Sequence, residues 1–349
     1  MSGRVVGALA MVLAAASPVL AQTESKTVRG ATVAIYNIVG RVRVIAGSTD
    51  GVVVDITRSG ADAAKLRVET GEIRGRQTLR IVYPSDRIVY PDSRRSRTSL
   101  RVREDGTFSE GNWDDGWRDR VDVSSYGPGL EAHADLVVRV PRGQKLELYL
   151  GVGRMDVANV EGALAIDVAS AEVDVAGVKG ALTLDTGSGR VTVRDVTGEL
   201  DVDSGSGGVT LGQVKGDVLR IDSGSGGVEA SDIDVRQFDA DVGSGGLRLY
   251  RTKASDVNVD TGSGGATIEL LSLFEKLVVE TGSGGVTVRA PAALGADLDV
   301  ETGSGGFQTD FEISTRRFSR SHVQGRIGDG KGQIRIEAGS GSVRLLKST

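Results

Sequence analysis

The chain is predicted to be an all-β parallel solenoid, a β-helix of 18–21-residue coils turned at Gly-Ser-Gly corners, and three observations predict it. Gly-Ser-Gly occurs eight times in the C-terminal half, starting at Gly187, Gly205, Gly224, Gly243, Gly262, Gly282, Gly303 and Gly339, with successive spacings of 18, 19, 19, 19, 20, 21 and 36 residues. A fixed period of this length marks a repeat architecture, and it is too short for helix pairs or propeller blades. Between the corners apolar and polar residues alternate with the period of a strand. The composition agrees, since aromatics are only 4% of 349 residues, as a narrow stacked interior requires.

One unit shows the grammar. Leu182 and Leu184 alternate with Thr183 and Asp185, Thr186-Gly187-Ser188-Gly189 turns the chain, and Val191 and Val193 alternate with Thr192 and Arg194. Asp195-Val196-Thr197-Gly198-Glu199 is the second corner, and Leu200 and Val202 begin the next coil above Leu182 and Leu184. Val209, Leu211, Leu219, Ile221, Val228, Leu247, Leu249, Val257, Val259, Ile268, Leu277, Val279, Val286, Val288, Leu298 and Val300 continue the frame and define the expected core. Glycine is expected at the corners for two reasons: positive φ, and stacked turns without room for a Cβ. Serine is expected to satisfy backbone groups there. No Lys-Ser or Lys-Thr follows the glycines, so they do not read as a phosphate loop. A single coil buries too little to fold alone, and its stability must come from neighbouring coils and capped ends.

Gly151-Val152-Gly153-Arg154-Met155 and Ala169-Ser170-Ala171-Glu172-Val173 carry the frame upstream, and Val33 to Val44 has a similar strand, corner and strand. The organisation is therefore a signal peptide at 1–21, N-terminal strands or first coils at 28–83, a polar insertion loop at 84–129, and solenoid repeats at 130–349 with a loop at 314–332. The leader is read from Arg4, the apolar run Val5 to Ala16, Ser17-Pro18 and a cleavage site after Ala21. It is too short to favour a membrane span. There is no cysteine, hence neither a lipobox nor a disulfide framework, and no second apolar stretch of spanning length is seen. The mature protein is expected to be exported, periplasmic or extracellular, without a transmembrane anchor. A net charge of −5 argues against nucleic acid as a partner.

Chemistry-bearing constellations are few. The two histidines, His133 and His322, have no metal-ligand spacing. The serines recur in every turn without a base, so no catalytic, cofactor-binding or metal-binding residue is assigned. Asp185, Asp203, Asp222, Asp241, Asp260, Glu280 and Glu301 recur just before Gly-Ser-Gly and should line one outer edge. That column reads first as a solvated face and second as a cation-binding edge. The insertion holds both tryptophans, in Trp113-Asp114-Asp115-Gly116-Trp117. Loops carry function more often than repeated coils do, so Trp113, Trp117, Asp114 and Asp115 are the candidate contacts for a glycan or protein partner. Ser314 to Gly332 is the other break, expected to be a loop or end cap.

Val140-Pro141-Arg142-Gly143-Gln144-Lys145-Leu146-Glu147-Leu148, the iterated Asp/Glu-Thr/Ser-Gly-Ser-Gly-Gly-Val units, and Gly325-Arg326-Ile327-Gly328-Asp329-Gly330-Lys331-Gly332 leading into Gly339-Ser340-Gly341-Ser342-Val343 resemble the DUF4097-type adhesin-like proteins, exported bacterial β-strand-repeat proteins. The resemblance covers about residues 130–349 well and 28–82 loosely, and the tryptophan-bearing insertion lies outside it. It implies a non-enzymatic envelope or surface scaffold that adheres to an envelope or surface component, and no particular ligand. Two alternatives stay open: a polysaccharide lyase or hydrolase on a parallel β-helix, and a cation-dependent surface binding module.

Overall fold

The computed structural model describes residues 22–93, 97–109 and 117–348. Strands account for almost all regular structure there, and the one helical element is a single 3-10 turn, Ala63–Lys65. The pairing is parallel wherever the repeat operates. Leu164 lies beside Leu182, Leu182 beside Leu200, Leu200 beside Leu219, Leu219 beside Phe238, and Phe238 beside Val257. A second ladder runs Val173, Val191, Val209, Val228, Leu247, Ala266 and Val286 in the same way. Every residue placed in the core from the alternation is buried, and these side chains join one continuous apolar cluster along the stack.

The corners correct two sequence-based reasons. Among the Gly-Ser-Gly glycines only Gly189 takes a left-handed φ. The left-handed residues form a column at the other corner, at Asn159, Gly177, Asp195, Gln213, Asp232 and Arg251, with φ between 48° and 71°. Apart from Gly189, the Gly-Ser-Gly positions are glycine because of stacking: a Cβ on Gly207 would lie 1.5 Å from the carbonyl oxygen of Gly189 in the coil below. The hydroxyl that closes the turn also sits elsewhere than expected. It belongs to the inward residue before the motif, as where Ser204 Oγ donates to the Gly207 carbonyl at 3.0 Å, Ser223 to Gly226 at 2.9 Å and Thr261 to Gly264 at 2.7 Å. The middle serine contributes mainly its amide, Ser225 N donating to the Gly205 carbonyl at 3.0 Å.

Both ends depart from a purely parallel solenoid. At the N-terminal end Thr32–Ala46 stacks in parallel on the coil that begins at Gln144, and Arg76–Val82 and His133–Val140 stack in parallel on Thr32–Ala46 in turn; beyond them Arg67–Ile73, Val52–Ser59 and Gln22–Val28 add antiparallel strands that cover the stack. Tyr83 ties this cap together. Its buried hydroxyl lies 2.9 Å from Asn37 Oδ1 and donates at 2.8 Å to the Val39 carbonyl, while Asn37 Nδ2 donates to the Ala134 carbonyl at 2.7 Å.

At the C-terminal end the chain doubles back. Leu277 pairs with Ile334, and Ile334 pairs on its other side with Leu298, so the last coil in sequence lies between two earlier ones. The second ladder agrees, with Val343 between Val286 and Phe307. This intercalation explains the long final spacing, since Gly339 stacks on Gly282 and Gly303 stacks on Gly339. The expected loop at 314–332 contains a hairpin, Ser314–Phe318 with His322–Ile327, which pairs antiparallel with Ala296–Thr302 and ends the sheet.

The insertion at 84–129 is more than a loop. Arg87–Val89, Thr98–Arg103 and Trp117–Ser124 form a separate three-stranded sheet. Ile88, Leu100, Val102, Phe108, Val121 and Val123 are buried in the common core. Phe108 meets the Tyr36 ring edge-on at 5.8 Å, and Tyr36 stacks on Tyr149 at 4.3 Å. Polar composition concealed this because the apolar residues are spaced singly among charges.

Candidate binding face

The outer face of the first ladder carries a continuous row of carboxylates. Register places Asp167, Asp185, Asp203, Asp222, Asp241, Asp260 and Glu280 one above another, and then Glu337 and Glu301. Alternation directs them outward, since their neighbours on either side are core residues. Strand stacking at about 4.8 Å brings successive carboxylates close enough to interact. Burial against the sheet pushes the Asp185 carboxyl above the usual range. Burial does the same for Asp203, reinforced by the charges of Asp185, Asp222 and Asp201. The sequence-derived column was right in its members but omitted Asp167 and Glu337, and Glu301 is the neighbour of Glu337 rather than of Glu280.

The C-terminal hairpin adds the irregular chemistry. Asp297 is held by Arg326 Nε at 2.9 Å and Arg316 at 3.0 Å, and these guanidinium groups draw its carboxyl below the usual range. Two and four residues on, Asp299 and Glu301 project beside His322 of the hairpin, and one donor atom from each of the three lies within 4.8 Å of the others. Two grooves adjoin here along the face. The larger, about 820 Å³, has Gln237, Asp239, Asn258, Lys276, Gln324 and Arg335 in its lining. The other follows the carboxylates past Glu280, Glu337, Glu301 and His322.

The residues singled out for partner contact fall mostly outside this view. Trp113, Asp114 and Asp115 lie outside the described residues. Trp117 begins the strand Trp117–Ser124, with its backbone opposite Arg103 in the small sheet. His133 is a strand residue whose ring lies 5.2 Å from that of Tyr90, an ordinary packing role. His322 was missed as a partner of carboxylates. It stands 21 residues after Glu301 and 23 after Asp299, and only the antiparallel register of the hairpin unites them. No spacing rule could have found it; a histidine inside the one break of the acidic repeat was the only signal.

A family model described as Toastrack DUF4097 matches residues 129–346. Three solved structures are also similar. A candidate adhesin from Parabacteroides merdae is 14% identical, with 93% of this chain and 95% of that one covered and a TM-score of 0.44. A candidate lipid-binding protein from Parabacteroides distasonis is 13% identical, with 93% and 96% covered and a TM-score of 0.43. A candidate adhesin from Bacteroides fragilis is 10% identical, with 94% and 96% covered and a TM-score of 0.34. No curated protein matches the chain. Among the described residues no helix is long and apolar enough to cross a membrane.

Proposed function

Because this chain belongs to the Toastrack DUF4097 family, we propose that it is an exported, non-enzymatic β-solenoid scaffold of the cell envelope or surface, which adheres to an envelope or surface component such as a glycan. The observation that carries this reading is the unbroken register of the outer columns. A row running from Asp167 to Glu301 over one continuous apolar core makes a uniform outer face, which suits a repeated scaffold that carries a separate recognition element. Coils of 18–21 residues turned at Gly-Ser-Gly set the length of that face. Export follows from the leader ending at Ala21, which delivers the protein to the periplasm or the cell exterior.

Within this scaffold the recognition element is the insertion, with Trp113, Trp117, Asp114 and Asp115 as contacts. An aromatic face beside carboxylates suits a sugar ring, which offers both C–H and O–H groups. The flanking sheet is anchored independently through Leu100 and Phe108, so changes between residues 113 and 117 should be separable from folding. A glycan array with a parallel hydrolysis readout, run on the protein from Gln22 onward, tests the proposal. Retention on a glycan without product, weakened at least about tenfold by replacing Trp113 and Trp117 with Ala while the melt is unchanged, is the expected result. Release of shortened glycan would contradict the scaffold reading, and binding untouched by the double substitution would contradict the placement of the contacts.

A further inference from the structure

We propose that Asp299, Glu301 and His322 form a binding site for a divalent transition cation of the zinc class, built where the C-terminal hairpin joins the stack. The inference is independent of what the insertion binds. Ala296–Thr302 and His322–Ile327 are antiparallel neighbours, with Glu301 opposite His322 and Asp299 opposite Gln324. Residues two apart on a strand point to the same side, so Asp299 and Glu301 project together and His322 arrives beside both. His322 Nε2 is 2.7 Å from Asp299 Oδ1 and 3.6 Å from Glu301 Oε1. Ligands around a tetrahedral zinc ion, with bonds of about 2.0–2.2 Å, stand roughly 3.3–3.6 Å apart. The triad therefore closes on an ion by side-chain movements of less than about 1 Å.

The surroundings fix the donors. Gln324 Nε2 donates to Asp299 Oδ2 at 3.0 Å, which orients that carboxylate and leaves Oδ1 toward the imidazole, as the outer partners of metal ligands do. The hairpin turn is pinned by the Ser319 amide, 2.9 Å from the His322 carbonyl, and by the His322 amide, 3.0 Å from Ser319 Oγ. The His322 side chain is only 14% exposed, whereas Asp299 and Glu301 keep 43% and 57%. The imidazole is thus held inside, and the remaining coordination position opens to the groove. When Nε2 carries the proton, its contact with Asp299 is a hydrogen bond; coordination uses the Nε2 lone pair instead, with the proton on Nδ1.

Charge and donor type choose the ion. Asp260, Glu280 and Glu337 line the same groove, with Arg317 as the opposing charge. One imidazole nitrogen with two carboxylates suits zinc, whereas calcium takes six to eight oxygens. The carboxylate row alone provides no nitrogen and is no part of the proposed coordination. An ion here would fasten the hairpin cap to the coil it covers.

Calorimetric titration of the metal-stripped protein with zinc chloride, checked by circular dichroism for folding, tests the site. One saturable equivalent is expected, weakened at least about tenfold in both His322→Gln and Glu301→Gln, unchanged in Asp203→Asn, and not displaced by equal calcium. Glu301 is exposed, so Glu301→Gln decides the matter even if His322→Gln folds poorly. The proposal is overturned by the absence of saturable zinc uptake, by equal affinity in Glu301→Gln, or by several equivalents that decline in Asp203→Asn.

Discussion

In the middle of the stack Leu182, Leu200, Leu219, Phe238 and Val257 occupy one site coil after coil, whereas the strands that cover the two ends have no counterpart elsewhere among the described residues. The middle is specified by register: any coil provides its neighbour with a strand partner and an apolar layer, and both glycines of each Gly-Ser-Gly stack too closely for a Cβ. The ends are specified by unique chemistry, such as the buried Tyr83 and Asn37 network and the antiparallel strands that cover each terminus of the stack. Exposed parallel edges invite association, and antiparallel covers remove them. The final cover, Ser314–Phe318, is wholly exposed and carries Arg316 and Arg317, a charged edge that discourages further pairing. Repetition therefore supplies stability, and the departures from repetition supply identity.

The largest test of that contrast is a charge placed inside a coil. Val286 is fully buried between Ala266 and Val343, so Val286→Asp should cost more than about 4 kcal/mol in denaturant unfolding or prevent folding. Thr287→Asp, one residue on and facing outward, should change stability by no more than about 0.5 kcal/mol. Equal losses at the two positions would remove the alternation on which the fold rests.

Adjacent corner glycines offer a sharper comparison. A Cβ on Gly207 would meet the Gly189 oxygen at 1.5 Å, while one on Gly208 would find its nearest neighbour, the Gly227 oxygen, at 3.8 Å. Gly207→Ala should therefore lose about 1–3 kcal/mol through displacement of the stacked turn. Gly208→Ala should be neutral or stabilising by up to about 1 kcal/mol, because it restricts the unfolded chain. Thermal melts of both variants check this, and a more damaging Gly208→Ala would contradict stacking as the reason for glycine.

The smallest effect concerns the carboxylate row. The Asp203 carboxyl is raised by burial and then by its carboxylate neighbours, so the folded state holds its proton more tightly than the unfolded chain does. That carboxylate consequently opposes folding above its folded-state pKa, and the penalty disappears as pH falls through that value toward the unfolded one. Asp203→Asn should raise the melting temperature slightly, by about 2 °C or less, at neutral pH and not at all near pH 3. A lower melting temperature at neutral pH would mean that the row is held by favourable contacts.

The repeated part of this architecture was legible because one pattern was stated many times. Leu182 to Val300 could be assigned to the core from alternation alone, and seven members of the acidic row from their place before each corner. What escaped reading was stated once. Intercalation of the coil around Ile334 depends on pairing with both Leu277 and Leu298, and sequence order suggests stacking in order of synthesis. The union of Asp299, Glu301 and His322 depends on hairpin register, and the core role of Leu100 and Phe108 on contacts with distant strands. The left-handed corner was also hidden, since Asp195, Gln213 and Arg251 share a conformation but no side-chain type.

Deletion of a single coil tests most directly whether register, rather than any particular residue, builds the middle of the molecule. Because Leu182 pairs with Leu200 and Leu200 with Leu219, removing residues 200–218 should set Leu182 beside Leu219 and leave every later pair intact. The account predicts a cooperative thermal melt and an undiminished β signal per residue in that variant, and collapse of both when only residues 200–209 are removed, which puts strand against corner. Two variants that fold equally well, or that both fail to fold, would contradict it.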